Sequence, residues 1–508
     1  MVEQPYVPPL ESIAHKYVPI EQKYARDIVV ASISLAQLFS GDVINASDGS
    51  TVEGTLYLPE YQRPYRWGGK ELFRLLEDLN NYFSSSSRAG HAFYLGSIIL
   101  HQSDGKLNII DGQQRITSMA ILLASLNSKG NSHAIPELTF KAPMSQRQIY
   151  KNLQSLKTQT ISSDIDPTQI NITLVVTRYE DDAYHFFETQ NTGGVRLSGP
   201  DIIKAHHLRA TDQKLQNHHA RSWESMGDLN SLVAGIMKSR YWKAFNFREL
   251  ASWRNKKRLR EQIVSELAKE TLVDSADHAY QSVRFEYLAG GGWAQQLPSN
   301  GYAMRQPLNS GVNSIHFLQY FHSLRQTLLI NQDDPTQENF YSVYNAIQKA
   351  KGSSYLDMFF DVSLLLYVSQ FGTNGLHEAS LWLFRVIFSP RLHNKKMVRE
   401  STVQAFCKET PLLDWITSSY NHQQLMGYLK NFQYTIDKEN LGTSGVKQNF
   451  VIKINEGFEL GLNLPKEADK LSKGSEPLHD SPEVIIGNYD TRLRNALDVL
   501  IKRAEERK

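Results

Sequence analysis

The densest chemistry in the chain lies in five consecutive residues, Asp111 to Arg115, between an apolar run and a helical pattern. Gly112 lets the backbone approach a bound group closely, and a helix start offers unpaired N–H groups at a positive dipole end. The guanidinium of Arg115 suits phosphate oxygens, and the carboxylate of Asp111 suits a metal ion or a water molecule. Gln113 and Gln114 supply neutral donors and acceptors. We predict a phosphate cradle; the alternative is a capped tight turn with a solvent-facing Arg115.

The segment from Pro59 to Trp67 concentrates three aromatic residues, two arginines and two prolines. Aromatic faces beside arginine can stack on a nucleobase and hold a phosphate, and prolines stiffen such a loop. The alternative is an aromatic corner that anchors the loop to the core, which is the better interpretation of Tyr61 and Trp67 taken singly. The cluster that includes Gln62 and Arg63 is equally compatible with a nucleotide-binding loop and with a structural corner.

A third polar segment, from Asn191 to Lys204, has a mainly structural explanation. Asn-Thr-Gly-Gly ends one helix, and a Ser-x-x-Asp capping box begins the next. Asn191, Arg196 and Lys204 nevertheless carry polar and cationic side chains that could line the same cleft as Arg115.

Three further patterns carry weaker signals. The run from Arg254 to Arg260 holds five basic residues in seven. A solvated helix face is the favoured interpretation, and a patch for the DNA backbone is the alternative. The pairs His206-His207 and His218-His219 are adjacent on predicted helices, so they lack the i, i+4 geometry of a zinc site. Cys407 lies in a helical pattern and is predicted to be a buried thiol.

Composition limits the classes of protein and of site. The chain has 508 residues, 41% of them hydrophobic, and a net charge of +2. These values indicate a globular protein of two to four domains without a global positive field. The single cysteine excludes an intrachain disulfide, a zinc finger and an iron–sulfur site. The N-terminal residues show no signal-peptide pattern, and the apolar stretch Tyr355–Phe371 is too polar for a membrane span, so we expect a cytoplasmic protein with no membrane partner.

The predicted elements place the motif of residues 111–115 between a strand and a helix. Two strands, over 94–100 and 107–110, are joined by Asp104-Gly105, a hairpin signal. Helical spacing predicts helices over 28–39, 72–83 and from Ile116 onward, and alternation predicts a strand over 171–178. After about residue 215 helical patterns dominate, with an irregular connection over 290–311 and loop over 440–482 apart from a short apolar run over 450–454. We therefore divide the chain into an arm (1–25), a domain with both strands and helices (26–210), a helical domain (211–438) and a tail (439–508).

Four motifs together resemble one known family. They are Tyr61–Trp67, Phe93–Ile99, Ile109–Thr117 and Phe187–Lys204, and in this order they are similar to the N-terminal domain of GmrSD-type modification-dependent (type IV) restriction enzymes. The resemblance covers roughly residues 25–210. It implies a ParB/sulfiredoxin-like α+β core followed by a large, mostly helical region, in which the Asp-Gly-Gln-Gln-Arg loop binds and hydrolyses a nucleotide.

The resemblance also implies roles for individual residues. A nucleoside triphosphate, GTP or ATP with Mg²⁺, is the expected cofactor, and DNA, especially modified phage DNA, is the expected partner. The expected catalytic residues are Asp111, Gln113, Gln114 and Arg115. The expected nucleotide-binding residues are Gly112, Arg115, Tyr61, Gln62, Arg63, Asn191, Arg196 and Lys204. The expected DNA-binding residues are Tyr65 and Trp67 in this domain and, from the basic run outside the resemblance, Lys256, Lys257 and Arg258. Whether the loop of residues 61–67 senses DNA or nucleotide stays open.

One departure from the family pattern shapes the expected function. Many relatives carry a C-terminal His-Asn-His (HNH) nuclease domain, whose motif is not found in this sequence. We therefore expect an NTPase subunit that senses DNA and works with a separate HNH-type nuclease. The alternatives are a DNA-binding scaffold without turnover and a single-chain nuclease with an unrecognised site. The sequence does not specify the nucleotide, the DNA modification or the oligomeric state.

Overall fold

A computed structural model describes residues 28–46, 49–84, 92–179, 182, 199–243, 247–273, 277, 284–287, 293–296, 301–350, 352–394, 397–441, 445–464 and 480–506. These residues divide into two compact units. Unit 1 lies within Met1–Ala205 and Gln216–Glu224, and unit 2 within His206–Leu215 and Ser225–Lys508.

Unit 1 is built on a mixed sheet of five strands in the order β1-β7-β5-β6-β4. The strands are β1 (Ile28–Ser34), β4 (Thr55–Tyr57), β5 (Phe93–Ser103), β6 (Lys106–Asp111) and β7 (Ile170–Thr177), and a separate two-stranded sheet pairs β2 (Ile44–Asn45) with β3 (Thr51–Val52). The pairs β1–β7 and β5–β6 are antiparallel, whereas β5–β7 and β4–β6 are parallel. The predicted hairpin is confirmed, because Asp104 and Gly105 adopt positive φ angles of 49° and 69° between β5 and β6.

The helix predicted over residues 28–39 is wrong in its first half. Ile28–Ser34 is a strand whose alternate residues Val29, Ala31 and Ile33 are buried, and it pairs along its whole length with β7. A short helix, α1 (Leu35–Ser40), follows and is capped by Ser34. Apolar residues spaced for a helix in a short window also alternate, so the distant strand β7 decides which structure forms.

Three helices of unit 1 pack their apolar residues against one face of the sheet. They are α2 (Gly69–Ser84), α3 (Gln113–Asn127) and α4 (Pro143–Leu156). Leu72, Leu76, Leu79 and Phe83 of α2 and most of α3 join the buried faces of β1, β5, β6 and β7 in one core cluster. α5 (Gly199–Arg209) and α6 (Gln213–Ser225) follow in the chain.

Unit 2 is mostly helical. Its helices are α7 (Asn230–Tyr241), α8 (Lys256–Val264), α9 (Val312–Arg325), α10 (Glu338–Ala350), α11 (Ser354–Phe371), α12 (Leu376–Ile387), α13 (Ser389–His393), α14 (Glu400–Glu409), α15 (Leu412–Ser418), α16 (His422–Asn431), α17 (Val446–Phe458) and α18 (Pro482–Glu506). A two-stranded sheet pairs β8 (Arg284–Tyr287) with β9 (Trp293–Gln296). Within the described ranges, no helix combines the length and apolarity that crossing a membrane requires.

The predicted α+β class is confirmed, and two local predictions need correction. β9 interrupts the connection that was predicted to be irregular over 290–311, and α17 extends on both sides of the apolar run over 450–454 into residues that were predicted to be loop. Phe450, Val451 and Ile454 of α17 are fully buried, so tertiary packing stabilises a helix whose polar flanks indicated a loop.

Unit 2 contains a chain of hydrogen bonds that joins α11, α12 and α16. The hydroxyl of Tyr367 donates to the carbonyl of Asn374 at 2.8 Å and lies 2.8 Å from Nδ1 of His422. Nε2 of His422 lies 3.0 Å from Glu378 Oε2, and Lys430 donates to Glu378 Oε1 at 2.7 Å. The hydrogen bond from His422 is the main cause that lowers the pKa of Glu378 to about 2, against the opposing effect of burial.

A Glu378→Gln variant should be less stable than wild type at pH 7 and less sensitive to acid. The folded pKa of about 2 lies below the ordinary 4.5, so the carboxylate stabilises the fold above pH 4.5 and loses this effect as the pH falls toward 2. Urea unfolding across this range measures the effect. Glu249→Gln is the control, because Glu249 pairs with Lys408 at 3.0 Å but its side chain is 73% exposed. Equal pH profiles for wild type and Glu378→Gln would contradict this account.

Candidate functional site

The candidate site begins where β6 passes into α3. Gly112 is the N-cap of α3 with φ 96°, a left-handed conformation that glycine adopts without strain, and no side chain caps the helix. The first helical hydrogen bond runs from the N–H of Ile116 to the carbonyl of Gly112 at 2.9 Å. The N–H groups of Gln113, Gln114 and Arg115 therefore precede the helical ladder, and α-helix geometry gives them no partner within the helix. Such a helix start favours an anion.

Arg115 lies beside this helix start and across the end of the sheet. Its Nη2 is 3.2 Å from Oδ2 of Asp111, and its Nη1 donates to the carbonyl of Leu95 at 3.4 Å. A side chain at Gly96 would collide with Nη1, so glycine makes room for the guanidinium here. The side chains of Arg115 and Asp111 are 24% and 27% exposed. Arg115 is thus not the solvent-facing arginine of the alternative interpretation but a half-buried group in a weak ion pair with Asp111.

The two glutamines of the motif have different surroundings. Oε1 of Gln114 accepts hydrogen bonds from the backbone N–H groups of Arg66 at 2.9 Å and Trp67 at 3.1 Å, and its Nε2 donates to Pro64. Gln113 is only 4% exposed, yet neither its Oε1 nor its Nε2 has a hydrogen-bond partner among the described residues. Gln114 therefore holds the loop of residues 61–67 on α3, whereas Gln113 keeps its hydrogen-bonding capacity.

The loop of residues 61–67 is also anchored by its own side chains. Nε2 of Gln62 donates to the carbonyls of Ile109 and Ile110 at 2.9 Å each. The hydroxyl of Tyr65 lies 2.8 Å from that of Ser118, and Tyr65 is 1% exposed. The predicted DNA contact of Tyr65 is therefore corrected, because a ring buried to this extent presents no face for a base. Burial raises the pKa of Tyr65, as expected for a hydroxyl inside the core.

Charged side chains gather around the loop and the helix start. Burial lowers the pKa of Arg63, while Asp201 and Asp111 oppose the shift and Arg66 adds to it. Both carboxylates therefore lie within electrostatic reach of the Arg63 guanidinium. Arg66 pairs with Asp201 at 3.4 Å, and the Arg66 side chain is 46% exposed. Unit 1 thus brings Arg63, Arg66 and Arg115 together around two carboxylates.

Lys204 differs from these arginines because its ammonium is occupied. It is 2% exposed, bonds Glu224 at 2.5 Å and donates to the carbonyl of Gln62 at 3.2 Å. Lys204 therefore supports the loop of residues 61–67 through Gln62 and does not line an open cleft. The other two members of that prediction, Asn191 and Arg196, lie outside the described residues.

Family models match two parts of the chain. Residues 40–208 match the model for the GmrSD restriction endonuclease, N-terminal domain. Residues 40–208 form a GmrSD-type N-terminal domain. Residues 215–443 match a second model, a family of unknown function (DUF7834). No curated protein matches the chain.

Outside the GmrSD-type domain, the basic run lies at the start of α8. Asn255 caps the helix, its Oδ1 accepting from the N–H of Arg258 at 3.2 Å, and Lys256, Lys257 and Arg258 are exposed. Trp253 directly precedes the run, is 50% exposed and carries the Arg254 guanidinium 5.5 Å from its ring. The sequence analysis missed Trp253, although its position beside five basic residues was a readable signal.

The remaining sequence candidates are structural. His207 is fully buried, its Nε2 donates to the carbonyl of Leu267 at 2.7 Å, and burial lowers its pKa to about 3. Cys407 is 4% exposed and burial raises its pKa, which confirms the predicted buried thiol. In the part of the chain that the structure describes, no three His, Cys, Asp or Glu side chains form a metal-binding group.

Unit 2 contains a second concave site that the sequence analysis missed. A cavity of about 230 Å³ is lined by residues of α7 and α11 together with Met304 and Arg325. Asp357 and Asp361, one helical turn apart, line it; burial raises the pKa of Asp357 to about 7 and that of Asp361 to about 6. Oδ1 of Asp357 has no hydrogen-bond partner among the described residues. Paired carboxylates with such pKa values are typical of acid–base or metal chemistry.

The contrast between the two glutamines predicts opposite effects of the same substitution. Gln114→Leu should cost about 2–4 kcal/mol of unfolding free energy, because two partly buried backbone N–H groups lose their acceptor. Gln113→Leu should change stability by less than about 1 kcal/mol, or increase it, because it removes polar atoms that are buried without partners. Urea unfolding of both variants measures the difference. A Gln113→Leu variant as unstable as Gln114→Leu would show that Gln113 also supports the fold.

Proposed function

We propose that the GmrSD-type domain binds and hydrolyses a nucleoside triphosphate, GTP or ATP with Mg²⁺, at the N-terminus of α3. The observation that carries the proposal is the uncapped helix start with the half-buried guanidinium of Arg115 beside it. Three backbone N–H groups and a guanidinium are complementary to the oxygens of a phosphate chain. The side-chain amide of Gln113 has no hydrogen-bond partner among the described residues and is therefore able to orient a water molecule.

Each residue of the site has a proposed role. Arg115 exchanges Asp111 for a phosphate oxygen, and Arg63 and Arg66 offset the remaining negative charge. Asp111 is released by this exchange and is suited to hold Mg²⁺, which is usually bound by one or two carboxylates together with substrate phosphates. When bound, the metal would neutralise charge on the phosphates. Gln113 accepts a hydrogen bond from the attacking water, and Gln114 positions the loop.

We further propose a role in defence against phage DNA that carries modified bases. The matched family is named for a restriction endonuclease, and this supports action on DNA within a restriction system. In this proposal the chain is the DNA-sensing NTPase in the cytoplasm, and a separate HNH-type nuclease cuts. The exposed basic run at α8, with Trp253 beside it, has the chemistry of a DNA-backbone contact. Two residues of the loop of residues 61–67 were predicted to contact DNA, and Tyr65 is too buried to do so. Trp67, which is half-buried and packed against the core, is therefore the DNA contact that we retain in this loop.

The cavity in unit 2 supports one alternative, a nuclease within this chain. Its carboxylates Asp357 and Asp361 have the chemistry to hold a divalent metal beside a scissile phosphate. Incubation of the pure protein with modified DNA, Mg²⁺ and NTP separates the possibilities. We expect NTP turnover without double-strand cleavage. Cleavage that Asp357→Asn abolishes would favour the nuclease, and DNA binding without any NTP turnover would favour the scaffold.

Arg115→Ala should weaken NTP binding about 10- to 150-fold, the value of a charged phosphate contact. Asp111→Asn should bind NTP but hydrolyse it slowly, because Asp111 is proposed to act through the metal. Calorimetry measures binding, and phosphate release with and without modified phage DNA measures turnover. Arg147→Ala, at an exposed position of α4, is the control. A folded Arg115→Ala protein with wild-type affinity would refute the site.

Alanine at Lys256, Lys257 and Arg258 should weaken DNA binding and flatten its salt dependence. Each phosphate contact that is lost should reduce the slope of log affinity against log salt by about 0.9. Fluorescence anisotropy between 50 and 200 mM salt is a suitable measurement. Alanines at Lys502 and Arg503, exposed on α18, provide the control for net charge. An unchanged slope would identify the run as a solvated helix face.

A further inference from the structure

Among the described residues, the first half of β5 has no strand partner on the side of β6, beside the start of α3. β6 pairs with Ile99–Ser103 of β5 and ends at Asp111, opposite Ile99, because Gly112 turns the chain into the helix. On that side, residues 93–98 of β5 have no partner in β6. Arg115 occupies part of this edge through its bond to the carbonyl of Leu95. The phosphate site proposed above therefore borders the first half of β5.

Tyr94 stands in this half of β5 and is exposed. It pairs with Asn171 of β7, and the register shifts between Tyr94 and Gly96, so one extra residue, Leu95, lies between them. Leu95 is buried, whereas Tyr94 is 58% exposed. Its hydroxyl lies 3.0 Å from Oγ1 of Thr173 on the neighbouring strand. The ring is thus fixed at its far end while much of its surface faces solvent.

The electrostatic surroundings connect Tyr94 to Arg115. Hydrogen bonds with Thr173 and Ser97 are the main causes that lower the pKa of Tyr94, and the positive charge of Arg115 lowers it further. The carbonyl to which Arg115 donates belongs to Leu95, the residue that directly follows Tyr94. The exposed ring of Tyr94 and the guanidinium of Arg115 are therefore both held at the first half of β5, the ring through Thr173 of β7 and the guanidinium through the carbonyl of Leu95.

We propose that Tyr94 is the base-stacking residue of the nucleotide site, with the phosphates at Arg115 and the nucleobase on the tyrosine ring. This inference rests on the proposed function, because it needs a nucleotide at Arg115. A ring held by its hydroxyl loses little conformational entropy on binding, and stacking on an aromatic ring accepts every base. The site should therefore discriminate poorly between GTP and ATP, with specificity for the triphosphate supplied by Arg115 and the helix start.

Calorimetry in Mg²⁺ buffer with GTP, ATP and inorganic tripolyphosphate tests the proposal. Tyr94→Ala should lose about 5- to 150-fold in affinity for both nucleotides, the effect of removing one stacked ring, and keep its affinity for tripolyphosphate. Tyr94→Phe should bind the nucleotides within about threefold of wild type, because it keeps the ring. Tyr150→Ala, at a 64% exposed tyrosine of α4, is the matched control. Thermal unfolding verifies that each variant is folded.

The three probes separate the failure of this inference from failure of the proposed function. A wild-type protein that binds neither nucleotide nor tripolyphosphate would refute the nucleotide site itself. Unchanged nucleotide affinity in Tyr94→Ala would overturn the stacking role alone and leave the exposed ring for another partner. Equal losses for nucleotide and tripolyphosphate would also overturn it, because the variant would then have disturbed Arg115. Binding of tripolyphosphate but of neither nucleotide by wild type would exclude a base contact.

Discussion

The hydrogen bonds of Gln114 hold the two halves of the candidate site together. One amide oxygen accepts from consecutive backbone N–H groups of Arg66 and Trp67, which lie almost fifty positions earlier in the chain. The loop that carries Arg63 and Arg66 is thereby fixed at the start of α3, where Arg115 and the N–H groups without a partner within the helix lie. Without this acceptor, two backbone donors would lose their partners and the arginines would lose their positions. The positions of Arg63 and Arg66 relative to α3 depend on this contact.

The ion pairs of the site differ from the structural ion pairs of unit 2. Arg115–Asp111 and Arg66–Asp201 are longer than 3 Å, and each includes a side chain at least 24% exposed. In unit 2, Arg385 is buried and bonds both carboxylate oxygens of Asp490 at 2.7 and 2.8 Å. Breaking a buried, two-point pair is costly, whereas a long and hydrated pair can exchange partners at little cost. The length and exposure of the pairs near α3 are therefore compatible with the exchange of partners proposed for Arg115.

Aromatic residues of the GmrSD-type domain show why residue type alone does not identify a binding surface. Tyr65 and Tyr94 both lie in motifs that resemble the family, yet one is 1% exposed and the other 58%. Tyr65 is drawn into the core by hydrogen bonds with Ser118 and Asn152. Tyr94 is left outside because the register shift at Leu95 places that residue in the core instead. Burial thus separates the anchor from the residue available to a ligand.

The α+β class followed from the resemblance of four motifs to a known family. The sequence alone determined three local features: the Asp104-Gly105 hairpin, the strand–glycine–helix passage at Gly112 and the buried Cys407. Each depends on a turn residue, a short period or composition, which neighbouring residues specify. Tertiary structure decided that residues 28–34 form a strand, which of two adjacent glutamines is bonded, and which tyrosine is exposed. These outcomes depend on partners far along the chain, such as β7 for β1 and Arg66 for Gln114. A local pattern contains no information about such partners, so the chemistry of the motif was readable from the sequence and its geometry was not.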